Sequence, residues 1–160
     1  MLISILKEKI NTNHIDEAIC MIEEIGEKRL NEAVPYLIEQ LQLTKSHVLR
    51  NSIALALRDI GNSDAVEPIV HVLKDPKTLG YRGTLLASLE PFDYSNHIDM
   101  LFGFLIEGNF EVSRKSFLLI ESIIENISEG TKQEYLERLK DEIERLEEKH
   151  DLLSEARDML

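Results

Sequence analysis

The chain has 160 residues, 43% of them apolar and 30% charged, and a formal net charge of −12. That is enough chain for one hydrophobic core, with the balance of an ordinary soluble globular protein. A membrane span is excluded, since no apolar run approaches the roughly 18–20 residues a bilayer crossing needs, and a negative body repels nucleic-acid phosphates.

Apolar spacing places helices, in chain order, near residues 2–10, 15–26, 32–43, 46–60, 64–74, 78–89, 96–107, 111–126 and 131–158. No segment alternates with the period of two that marks a strand. The clearest unit starts at Val48, where Val48, Ile53, Ala56, Leu57 and Ile60 form one helical stripe. Gly61 and Asn62 stop that helix, because glycine reaches left-handed angles without penalty. Ser63 or Asp64 is expected to cap the next one, and Pro68 sits early in it, where a missing N–H costs little. Ile69, Val70, Val72 and Leu73 continue the stripe to the break at Asp75-Pro76.

This helix–turn–helix unit repeats. Adding 32 to Arg50, Ser52, Ile53 and Leu57 gives Arg82, Thr84, Leu85 and Leu89, and adding 32 again gives Arg114, Ser116, Phe117 and Glu121. The last step departs from the apolar pattern at Glu121. Ile69, Val70, Val72 and Leu73 map in the same way onto Leu101, Phe102, Phe104 and Leu105. Pro35 anticipates Pro68, and Gly26 anticipates Gly61 ahead of a longer Glu27–Asn31 turn. A period of this size marks a stack of supersecondary units that bury each other's faces. The expected fold is all-α: one right-handed α-solenoid (α-α superhelix) over residues 1–160, of about four helical pairs, with 128–160 as a C-terminal capping segment.

The stretch VLRNSIALALRDIG, followed by DAVEPIVHVLKDPKTLGYR, resembles HEAT-like repeats, in particular the short type found in phycobilisome lyases. Val48, Arg50, Ala54, Ala56 and Gly61, then Pro68, Leu73, Asp75 and Arg82, fit that family's pattern of an early proline, a Leu-x-Asp helix end, a Val-Arg start and an alanine-rich helix ending in Leu-Gly. The match covers about residues 15–90 and weakens over 91–126, where Pro91-Phe92-Asp93 replaces the Ile-Gly turn. It fails over 128–160. The resemblance implies a curved α-solenoid used for macromolecular binding.

In the C-terminal segment, Leu136, Leu139, Ile143, Leu146 and Leu153 follow a three–four spacing, with His150 in the missing position. That suits the single apolar face of an end cap or, over only about three heptads, a dimerising coiled coil. The cap is preferred, which makes the expected protein a monomer, with dimerisation through this helix as the alternative.

The recurrence of Arg50, Arg82 and Arg114 suggests a structural ladder, each guanidinium bonding a turn carbonyl or an acid such as Asp75 in the adjoining loop. The alternative is a stripe of binding arginines. In solenoids of this kind the second helix of each unit lines the concave face, and helical phase then projects Asn51 and Arg58, Gly83 and Glu90, and Lys115 and Ser122 as the partner-binding row. Asp16 and Glu23 take the equivalent place in the first unit. Most of Phe92, Tyr94, Phe102, Phe104 and Phe110 are expected in the core, with the Pro91–Tyr94 turn a candidate sticky edge.

His71 with Asp75, and His47 with no comparable residue, do not make a metal-ligand set, His97 and Asp99 cannot share a helical face, and no metal or cofactor is expected. The lone Cys20 rules out an internal disulfide, and with no signal-like N-terminus a cytoplasmic protein is expected. Adjacent carboxylates such as Glu23-Glu24 are explained by solvated helix faces among 30 acids. No glycine-rich phosphate loop or G-x-S-x-G motif occurs. The expected function is non-catalytic protein binding, in a sharper form the neutralisation of a basic toxin by an acidic immunity protein. The competing class is a HEAT-like enzyme, a DNA glycosylase or chromophore lyase. The absence of tryptophan and the net charge of −12 oppose the glycosylase, and the lyase rests on fold analogy.

Overall fold

The computed structural model describes residues 1–160 and contains helices and turns without strands. Nine α-helices follow in order: α1 (Leu2–Asn11), α2 (Ile15–Glu27), α3 (Val34–Leu43), α4 (His47–Ile60), α5 (Val66–Lys74), α6 (Gly83–Ala87), α7 (Ile98–Glu107), α8 (Phe110–Ile123) and α9 (Glu129–Asp158). The even-numbered helices form one row, α2 on α4, α4 on α6 and α6 on α8. Behind it α3 lies against α4 and α5, while α1 packs on α2, α7 on α8 and the start of α9 on α7. One continuous core of 30 buried apolar residues runs from Leu6 to Tyr135.

Local chemistry sets the helix ends. Ser46 Oγ accepts from Leu49 N (3.2 Å), Asn109 Oδ1 from Val112 N (3.0 Å) and Ser128 Oγ from Thr131 N (3.2 Å), each satisfying an orphan first-turn donor. Gly61 closes α4 at φ +78°. Ahead of α5 the cap is Asn62, rather than Ser63 or Asp64: its Oδ1 accepts from Asp64 N (2.9 Å) and opens a 3₁₀ turn over Ser63–Ala65. The Asn62 amide also donates to Asn31 Oδ1 (2.7 Å), tying equivalent turns of two successive units together.

Three expectations are corrected. Gly26 does not stop α2. It lies buried inside the helix, where a Cβ would stand 2.9 Å from Ala56 Cα, so its function is close approach of α2 to α4. The left-handed residue after α2 is Arg29 (φ 50°). The helix expected over 78–89 shrinks to Gly83–Ala87. Gly80, at φ +86°, breaks its start, and Pro91 lacks the N–H that would continue the ladder onto Ala87, so the end tightens into i,i+3 bonds from Leu89 and Glu90. Thirdly, the Pro91–Tyr94 turn is anchored: Tyr94 is buried and its hydroxyl donates to the Leu119 carbonyl (2.9 Å) and contacts Ser122 Oγ (2.7 Å).

The segment expected to cap the body meets it only near its start. Tyr135 is the one buried residue of α9, stacked on Phe102 with centroids 3.7 Å apart, and Leu139 is half-buried. Ile143, Leu146, Leu152 and Leu153 are exposed along the projecting remainder. No helix is long and apolar enough to cross a membrane.

Candidate functional site: a slipped register and the surfaces it exposes

The three arginines meet three different fates. Arg50 is 2% exposed, and its Nη2 donates to the Thr44 carbonyl at 3.0 Å. Burial pulls its guanidinium below the ordinary value, and the charge of Asp75 opposes that shift. Asp75 is itself held below the usual carboxylate range, first by the Lys77 backbone N–H (2.9 Å) and then by the Lys77 ammonium, with Arg50 contributing. The Lys77 ammonium reaches both the Gln42 carbonyl (2.8 Å) and Asp75 (3.2 Å), locking the loop over α3.

Arg82 repeats this bonding more openly. Its Nε donates to Thr78 Oγ (3.2 Å), its Nη2 to the Asp75 carbonyl (3.4 Å), and its guanidinium lies 4.9 Å from the Phe104 ring centroid. It is only half-buried and lines a cleft of about 410 Å³ with Phe104, Glu107 and Asn109. Where Lys77 locks the preceding unit, the residue 32 further on is the shorter Asn109, which is occupied in capping α8.

Arg114 is not a rung of this ladder. It is exposed and makes no hydrogen bond or ion pair; the residue that bonds the turn carbonyls is Ser113, with Oγ donating to Gly108 O (3.1 Å) and Phe104 O (3.4 Å). The core shows why. Ile53 and Leu57 are matched by Leu85 and Leu89 at a spacing of 32, but the buried residues of α8 that continue the series are Ser116 and Ile120, at a spacing of 31. The turn between α7 and α8 is one residue shorter than the period requires. One residue is about 100° of helix rotation, so Arg114 and Phe117 swing from the arginine and core positions to the surface.

The consequence is an exposed apolar patch. Phe110 is 82% exposed, Phe117 50% and Leu118 45%; with Leu105, Ser113 and Arg114 they line a shallow depression of about 410 Å³. The sequence signal was Glu121, which falls on a core position if the 32-residue step is kept. A step of 31 puts Ile120 there instead.

The row projected from helical phase is dispersed. Gly83 is buried under the side chain of Glu111, whose Oε1 would lie 2.0 Å from a Cβ there, so it offers no surface. The Ser122 hydroxyl is tied to Tyr94 and to the Leu119 carbonyl (2.9 Å). Glu90 is exposed but sits in the turn beyond α6, off any helix face. Asn51 is half-buried with Oδ1 unpartnered, and Lys115 is half-buried on α8. Arg58 belongs to a defined concavity together with Glu23 of the same projection, a groove of about 190 Å³ between α2 and α4 lined also by Glu27, Ser52 and Asp59. There its Nε and Nη2 donate to Asp59 (2.9 and 2.8 Å), leaving Glu23 and Glu27 facing the groove without a cation bonded to either. Close contact at Gly26 holds the two helices together beneath it.

Comparison with family models, with curated proteins and with solved structures gives no match for this chain.

Proposed function

We propose that the chain is a non-catalytic protein-binding module, a right-handed HEAT-like α-solenoid whose partner seats on the Phe110–Phe117–Leu118 patch. The observation that carries this reading is that patch. Large aromatic side chains beside an unpaired guanidinium have the composition of interface anchors, and monomers do not expose such clusters idly. The two-row stacking of helices and the 32-residue period support the solenoid. The acidic groove at Glu23, Glu27 and Asp59, on a body of net charge −12, supports a basic partner such as a toxin nuclease neutralised by this chain.

The test is affinity capture from the native host with the wild-type chain and with a Phe110→Ala/Phe117→Ala variant. The wild type is expected to retain a specific protein that the variant loses at least tenfold, at an unchanged melting temperature, since both rings are exposed. Equal capture by the two removes the patch from the reading. For the toxin reading, the captured protein is expected to be basic and its activity blocked by the chain. Capture of only neutral or acidic proteins ends that version, and duplex-DNA binding at physiological salt overturns the protein-binding reading in favour of a nucleic-acid one.

A further inference from the structure

The projecting part of α9, beyond the half-buried Leu139, leaves an apolar stripe with nothing against it. Leu136, Leu139, Ile143, Leu146, His150 and Leu153 follow the three–four spacing of a heptad seam, and Ile143, Leu146 and Leu153 are exposed. Leu136, Ile143 and His150 take the a positions, and Leu139, Leu146 and Leu153 the d positions. The residues that flank such a seam decide what can cover it. Lys140 and Glu147 occupy the e positions, Glu142 and Lys149 the g positions.

In a parallel pair each g residue meets the e residue five places on in the other helix. Glu142 then faces the partner's Glu147, twice by symmetry, which is repulsive. In an antiparallel pair e meets e and g meets g. With Ile143 layered on the partner's Leu146, Lys140 faces the partner's Glu147 and Glu142 faces the partner's Lys149. Two-fold symmetry doubles both, giving four opposite-charge contacts and none of like charge among the flanking positions. The same register layers Leu136 on the partner's Leu153 and Leu139 on the partner's His150, along about 26 Å of helix at 1.5 Å per residue.

We propose that the chain forms a homodimer through an antiparallel pairing of α9 in this register. The inference stands apart from the proposed partner patch, which lies on α7 and α8. The occupant is a second copy because the seam is complementary in charge to itself reversed. It also continues into an apolar groove at the base of α9, about 140 Å³, lined by Phe102, Ile124 and Ile127 beside Leu136 and Leu139. In this register the partner's Leu153 arrives at the mouth of that groove. Glu142 already accepts from Arg145 (2.5 Å), and its carboxylate oxygens retain lone pairs for the partner's Lys149.

Sedimentation equilibrium of the full chain tests the proposal. The mass is expected to rise from 18.4 kDa towards twice that value with concentration, and Leu146→Asp is expected to hold it at the monomer value while the helical circular dichroism persists. Glu147→Lys tests orientation. It sets lysine against the partner's Lys140 in the antiparallel pair but against the partner's Glu142 in a parallel one. The expected result is a dissociation constant weakened roughly tenfold, restored by adding Lys140→Glu. A monomer at millimolar concentration overturns the dimer; tighter association of Glu147→Lys overturns the antiparallel register.

Discussion

At the scale of single residues, arginines that share a sequence period do not share a role, and the difference is measurable. Arg50 is sealed in and satisfies the Thr44 carbonyl, so Arg50→Ala removes packed methylenes and leaves a half-buried acceptor without its guanidinium donor. A loss of about 2 kcal/mol is expected in thermal or urea unfolding. Arg114→Ala removes an exposed, unbonded side chain, and a change within about 0.5 kcal/mol is expected. Equal effects at both positions would mean that the ladder runs through all three. Asp75 supplies a pH signature in the same loop. Its folded pKa lies below the ordinary carboxylate value, so the stability it contributes is present above that ordinary value and disappears as pH falls through the folded one. The Asp75→Asn variant keeps an acceptor for the Lys77 N–H but loses the charge. It is expected to melt lower than wild type at pH 7, with the gap narrowing below about pH 4.

At the scale of elements, the close contact of α2 with α4 turns on one glycine whose meaning was hidden in the sequence. Read by spacing, Gly26 stands where Gly61 stands and looks like a helix stop. Its neighbour across the interface, Ala56, is 30 residues away, and no local pattern reveals a backbone approach of that kind. Two effects of Gly26→Ala oppose each other. Alanine in a helix interior gains about 1 kcal/mol of propensity over glycine, but the new Cβ would stand 2.9 Å from the Ala56 Cα, a backbone atom that cannot rotate away. Overpacking of that kind costs about 1–3 kcal/mol, so a net lowering of the melting temperature is expected. The helices with strong apolar stripes, α4 and α5 above all, were legible to within two residues because burial follows the 3.6-residue period there. α6 was not, because its shortening is imposed by Gly80 at one end and Pro91 at the other, against a stripe that continues through Leu89. The slip before α8 was legible only as a misfit at Glu121. Periodicity fixes the face of a helix, and a single deleted turn residue rotates that face with no change in composition. The patch at Phe110 and Phe117 is built by that rotation, which is why a projection assuming constant phase placed Phe117 in the core and Arg114 in the ladder.

At the scale of the whole molecule, the helices divide into a body that shares one core and a projecting rod that does not. The helices pack mainly on their near neighbours in the chain, so removing residues with no neighbour should cost the rest nothing. Residues 141–160 supply no side chain to the core; the last contributors are Tyr135 and Leu139. Truncation after Lys140 is therefore expected to leave the body's unfolding midpoint within about 2 °C of the full chain at low micromolar concentration. That shift corresponds to about 0.6 kcal/mol for a domain of this size. Raising the concentration separates the two chains. If α9 pairs between copies, mass action favours the folded dimer, and the midpoint of the full chain climbs with concentration while that of the truncated chain stays flat. A truncated chain that melts far lower at every concentration would instead show that the rod stabilises the body it springs from, which the exposed Ile143, Leu146 and Leu153 argue against. The same pair of melts also locates the acid-rich rod in the charge balance. Residues 128–160 carry −5 of the total −12, so the self-repulsion that salt screens is greater in the full chain, and added salt is expected to raise its midpoint more than that of the truncated form.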